Sequence, residues 1–209
     1  MTHRIIRWSL GLLCLICIGA AGSASAAEIG KVGRLLGAPT VERGGQTLPL
    51  GSGLTIQEGD RIVTGDQARL EIQCKDGTIL IVGPQSDVTI GTFAALTGKR
   101  GQIGALDLAQ GIVRIALAAG ARWDRFAVTT RTAIASVRST VWIVDAAAET
   151  TGVFVIEGRV RVASRSGKGQ VDVSAGQGTD VAAGAAPTAP KPWANARVEA
   201  VTARTQFTD

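Results

Sequence analysis

Five arginines, Arg114, Arg122, Arg125, Arg131 and Arg138, fall in a stretch whose only acid is Asp124 and which also holds Trp123. A guanidinium is a planar fork that matches a carboxylate, and Arg and Trp are enriched at the centres of binding interfaces. Two uses follow: a protein interface, or a site for an acidic glycan, with the hydroxyls of 129–132 and 136–140 as further donors. The plainer reading is solvated strand faces around one structural Trp. Arg114, Arg122, Trp123, Arg125, Arg131 and Arg138 are the candidate interface residues.

Catalytic groups are scarce, and the N-terminal sequence makes them scarcer. Arg4 and Arg7 without an acid, the apolar run 10–21 and Ala24-Ser25-Ala26 follow the order of a secretory signal peptide. The run is too short for a bilayer-spanning helix, which needs about 20 residues. Leu13 and Ile16 before Cys14 and Cys17 do not suit lipid attachment, which wants a small residue there. Residues 1–26 are therefore expected to be a cleaved signal peptide, with an uncleaved anchor as the alternative, and the protein to be periplasmic.

Cleavage removes His3, Cys14 and Cys17, leaving no histidine and Cys74 as the single cysteine. Disulfide, His/Cys metal and histidine-based acid–base chemistry then lack their groups within one chain. No cofactor or metal site is expected, and an enzyme is the least favoured class. Taking away Arg4 and Arg7 lowers the formal net charge from +5 to +3, too weak an excess for a nucleic-acid binder. Asp60, Asp66 and Asp76 each adjoin a glycine, a context in which the carboxylate caps turn amides.

The elements that would carry these side chains are strands. In 68–75, Leu70, Ile72 and Cys74 alternate with Arg69, Glu71, Gln73 and Lys75, a half-buried strand with Cys74 on the apolar face. Asp76-Gly77 suits a two-residue hairpin turn, so 54–90 reads as a meander. Residues 92–107, with Gly98, Gly101 and Gly104, read as irregular. Strands are expected at 112–117, 126–130, from Val137 onward in 132–145, at 153–157 paired with 158–163, and at 170–173 and 179–181. In 158–163, Val160 and Val162 should face in and Arg159 and Arg161 out. Gln110-Gly111-Ile112-Val113-Arg114-Ile115 and Glu157-Gly158-Arg159-Val160-Arg161-Val162 echo each other, which suggests equivalent layers. The fold class expected is all-β: a rolled sheet, short β-helix or β-sandwich of many short strands. Residues 183–209 are Ala- and Pro-rich and read as a linker and C-terminal tail, whose Ala196, Ala200, Ala203 and Phe207 have the spacing of a short helix.

The order of several motifs resembles the FecR family of periplasmic domains. These are Glu58-Gly59-Asp60-Arg61-Ile62-Val63-Thr64-Gly65, Ala68-Arg69-Leu70-Glu71-Ile72, Asp76-Gly77-Thr78, Gly83-Pro84-Gln85-Ser86, Gln110-Gly111-Ile112-Val113-Arg114, Phe126-Ala127-Val128-Thr129-Thr130, Ala135-Ser136-Val137-Arg138-Ser139-Thr140, Val155-Ile156-Glu157-Gly158-Arg159-Val160 and Ala175-Gly176-Gln177. The resemblance implies a FecR-like β domain over 27–182. Ser139 departs from the Gly that family members usually carry in that turn. The best-known members also have a cytoplasmic segment and a membrane helix that address a sigma factor, which this sequence does not show. The resemblance implies a non-catalytic periplasmic interaction and signalling module. Its partner would be an envelope protein, such as a receptor signalling domain or a membrane-bound regulator. A cell-envelope glycan is the alternative, and nucleic acid is not expected.

Overall fold

The computed structural model describes residues 26–95, 102–120 and 123–207; of the expected signal peptide only Ala26 lies within them. The strands are β1 Glu28–Leu36, β2 Thr40–Arg43, β3 Gln46–Pro49, β4 Thr55–Gln57, β5 Arg61–Val63, β6 Arg69–Cys74, β7 Ile79–Val82 and β8 Asp87–Ala95. They continue as β9 Gln102–Ala116, β10 Trp123–Thr129, β11 Ala133–Val137, β12 Thr140–Ala146, β13 Thr150–Ser164, β14 Gln170–Ser174, β15 Gln177–Ala182 and β16 Lys191–Pro192, followed by helix α1 Asn195–Arg204. The fold is all-β with one short helix, as the β-branched, glycine-punctuated sequence implies.

The strands form two layers. Sheet A runs β4-β1-β6-β7-β9-β12-β13-β15-β16, antiparallel throughout. Sheet B runs β3-β2-β5-β8-β9-β10-β11-β13-β14 and contains one parallel pair, β9 with β10. β9 and β13 belong to both sheets and change layer at Gly111 and Gly158, where φ is +95° and +85°. Only glycine adopts such angles without strain. The echo in the sequence thus marks two equivalent corners.

One apolar core lies between the layers. Ile62, Val88, Leu106, Phe126, Val128 and Val160 from sheet B meet Ile56, Leu70, Ile72, Ile115, Trp142, Val144 and Val155 from sheet A, all fully buried or nearly so. Each such side chain contributes about 1.5–3 kcal/mol when removed from water. Phe93, Trp123, Phe126 and Trp142 form a chain of edge-to-face contacts with centroids 5.2–5.9 Å apart, a favourable arrangement for aromatic rings. Thr130 and Thr132 both reach the Thr151 hydroxyl at 2.7 Å, a second link between the layers.

Three expectations need correction. The meander at 54–90 holds only for β6 and β7; β4 pairs with β1 in sheet A, whereas β5 lies between β2 and β8 in sheet B. Residues 92–95 and 102–107, read as irregular, belong to β8 and β9. There Gly104 is not a breaker but makes room for an aromatic ring, since a Cβ would lie 2.5 Å from Phe126 Cδ2. Residues 153–157 and 158–163 are one continuous strand bent at Gly158, not a pair, with Val160 and Val162 inward and Arg159 and Arg161 outward as read.

The C-terminal segment lies on the outer face of sheet A. Trp193 stacks on Phe154 at 5.4 Å and joins Ile112, Ile143 and Val201 in a second apolar cluster. The helix turns Val201, not the alanines, to the sheet. Arg197 pairs with Asp180 and lies over the Trp193 ring, while Arg204 pairs with Asp145 at 2.7 Å. Among the described residues no helix is long and apolar enough to cross a membrane.

Candidate functional site

The outer face of sheet B carries a groove of about 650 Å³ lined by Asp124, Arg125, Ser136, Val137, Arg138, Ser139, Arg159, Arg161 and Asp172. Strand register explains the assembly. Phe126 is opposite Val137 on β10 and β11, Ser136 opposite Arg161 on β11 and β13, and Arg161 opposite Asp172 on β13 and β14. Side chains alternate across a strand, and continuing these registers sets Arg125 on β10, Arg138 immediately after β11 and Arg159 on β13 beside one another. A register shift between Trp123 and Arg125 puts Asp124 and Arg125 outside together while Trp123 and Phe126 both point in.

Arg161 holds Asp172 through a two-pronged pair, Nε to Oδ1 at 3.0 Å and an Nη to Oδ2 at 3.3 Å. The hydrogen bonds from Arg161 lower the Asp172 pKa, desolvation opposes them, and the fields of Arg161 and Arg159 add to the lowering. Among the described residues, Arg125, Arg138 and Arg159 form no ion pair. None of the lining side chains is aromatic.

Only part of the sequence-derived set meets here. Arg125 and Arg138 line the groove; Arg131 is exposed in the β10–β11 turn beyond it. Arg114 is half-buried on the outer face of sheet A, in the other layer, because β9 has already turned at Gly111. Arg122 lies outside the described residues. Trp123 is only 6% exposed and so is not available as an interface anchor: it is the structural Trp of the plainer reading. Of the proposed hydroxyl donors, Ser136 and Ser139 line the groove, whereas Thr130, Thr132 and Thr140 are buried and bonded within the fold. Arg159, Arg161 and Asp172 were missed as site residues. Alternation showed the two arginines pointing outward, but only the pairing of β13 with β11 and β14 brings them to Arg138.

Residues 60–161 match the FecR protein family. In that segment the chain is similar to a FecR domain. No curated protein matches it. Two crystal structures of a candidate anti-sigma factor from Parabacteroides distasonis are similar, with TM-scores of 0.52 and 0.53 at 16% and 17% identity. The likeness covers 67% of this chain in both cases and 63% and 62% of those chains. The chain thus spans less than two thirds of their length, and at this identity the likeness is one of fold.

Placed on the structure, the motif residues that resemble FecR proteins are chiefly architectural. Thr64 Oγ1 donates to the Gly83 carbonyl at 2.7 Å and accepts the Ser86 amide at 2.8 Å. Ser86 Oγ accepts the Ile112 amide at 2.9 Å and donates to the Ile112 carbonyl at 3.2 Å. Three motif blocks therefore clamp the first layer-changing corner. At the second, Thr140 Oγ1 donates to the carbonyl of Arg159, the residue after Gly158, at 3.1 Å. Ser139 sits in this turn without positive φ, which Gln85 alone has among the described non-glycine residues. Asp60, 1% exposed, accepts the Gln57 amide at 2.8 Å and two bonds from Arg43 at 2.7 and 2.6 Å. Asp76 accepts the Thr78 amide at 3.0 Å. Cys74 is buried, and burial, helped by Asp76, pushes its thiol up to about 12.

Proposed function

We propose that the chain is a non-catalytic signalling module that works in the periplasm by binding an envelope protein, a receptor signalling domain or a membrane-bound regulator. The observation that carries this reading is the arginine-rich groove on the outer face of sheet B, which no described segment covers. The similarity of residues 60–161 to the FecR family agrees with a role in signalling. The fold shared with a candidate anti-sigma factor is consistent with it.

Binding rather than turnover is favoured by how the reactive groups are used. Asp60 is committed to Arg43 and a turn amide, Asp172 to Arg161, and the Cys74 thiol is kept protonated by burial. The n-region, apolar run and Ala24-Ser25-Ala26 of the sequence support export.

Crosslinking in living cells followed by affinity capture of the tagged full chain tests the reading, with an Arg125→Glu, Arg138→Glu variant alongside. We expect a discrete membrane protein captured by the wild type and lost in the variant. Recovery of only peptidoglycan or lipopolysaccharide would overturn the protein-partner reading.

A further inference from the structure

The groove's ionic arrangement specifies the chemistry of what it binds, given the interaction role proposed above. We infer that it takes an acidic peptide segment of the partner, whose carboxylates pair with Arg125, Arg138 and Arg159.

Arginines elsewhere in the fold are mostly spent on internal carboxylates. Arg43 holds Asp60, Arg61 holds Glu42 and Asp87, Arg197 holds Asp180 and Arg204 holds Asp145. The three in the groove have no such partner among the described residues, although they stand side by side. Adjacent strands are about 4.8 Å apart, so three like charges are held within about one Debye length at 0.1 M salt. Two acids, Asp124 and Asp172, share the groove with four arginines, so positive charge is left over, and a polyvalent anion laid across Arg125, Arg138 and Arg159 would balance it.

The anion's class follows from the neighbouring residues. In the same groove Arg161 already grips the Asp172 carboxylate with both prongs of its guanidinium, so a carboxylate fits this face. No aromatic ring lines the groove, which removes the flat apolar surface on which a pyranose ring would stack. Asp124 and Asp172 line it too and leave a limited excess of positive charge, which suits a flexible chain that can place its carboxylates on the arginines and away from the acids. A peptide, whose side chains carry carboxylates on separate rotatable arms, can do this without a ring to stack. Ser136 and Ser139 supply hydroxyl donors beside the row.

The test is fluorescence anisotropy of a labelled octaglutamate peptide with the purified full chain, against an octaglutamine control and with inorganic phosphate as competitor. Octaglutamate should bind, octaglutamine should not, and millimolar phosphate should not displace the peptide. Binding should fade as pH falls through about 4.3, where glutamate side chains take up protons and the peptide loses its charge. An Arg138→Glu, Arg159→Glu variant should weaken it at least tenfold, while an Arg131→Glu, Arg165→Glu variant of the same charge should change it less than threefold. All four side chains are exposed, and unchanged thermal unfolding of both variants would show that the fold is intact. Equal loss in the two variants, or no loss in the first, would overturn the inference, as would full displacement by phosphate. Absence of octaglutamate binding with arginine-dependent capture in cells would sink the acidic-peptide inference alone. Octaglutamate binding without any captured membrane protein would sink the interaction reading instead.

Discussion

At Gly111 a Cβ would lie 2.3 Å from Ser86 Oγ and 2.6 Å from the Gln85 carbonyl, on a backbone with φ of +95°. Gly111→Ala should therefore cost about 2–4 kcal/mol through backbone strain and overpacking together, read as a shift in the denaturant midpoint. A loss below about 0.5 kcal/mol would mean that the corner is soft. Cys74 offers a pH-dependent readout: with its thiol pushed up to about 12 by burial, the reactive thiolate is essentially absent at pH 8. Iodoacetamide at pH 8 should leave Cys74 of the folded protein unmodified and label it only on unfolding, read by peptide mass. Rapid labelling of the folded protein would contradict the buried assignment. Residue roles were unevenly legible. Cys74 and Asp76 could be placed from alternation and turn chemistry, because their neighbours in sequence are their neighbours in space. Trp123 could not, since whether a lone aromatic points in or out depends on the register shift beside it and on a glycine, Gly104, in another strand.

The elements most clearly written in the sequence are those closed by local turns. β6 and β7 follow from period-two alternation and Asp76-Gly77, and β14 and β15 from their flanking glycines and serines. The echo around Gly111 and Gly158 pointed to equivalence but not to its nature, because a corner between layers and a turn between strands both call for glycine. The split of 132–145 into β11 and β12, in different sheets, was hidden for the same reason: β-branched residues continue on both sides of Arg138-Ser139. The C-terminal helix was anticipated, but by its alanines rather than by Val201. A small buried area made Trp193 the anchor instead. Trp193→Ala should forfeit about 3 kcal/mol of local packing and raise amide exchange of 191–207 by about a hundredfold, with protection in β9 and β12 retained. Unchanged exchange in the segment would show that it is held by the Arg197 and Arg204 pairs alone.

Across the whole molecule the two outer faces differ. That of sheet A is partly covered by the C-terminal segment, whereas sheet B leaves its arginine groove open. The groove was only half visible in the sequence: the cluster around Arg125 and Arg138 stands out as charge, but Arg161 comes from 25 positions beyond Ser136 and is brought there by strand pairing. Sequence proximity in turn grouped Arg114 with the cluster, although β9 delivers it to the opposite layer. A binding role predicts that contact is confined to one face. Site-specific photocrosslinking in cells tests this most directly, with the photoreactive residue at Ser139 in the groove or at Gln73 on the exposed outer face of sheet A. A discrete adduct with an envelope protein is expected from position 139 and none from position 73. The same adduct from position 73 alone would place the interface on sheet A and contradict the assignment of the groove as the binding face.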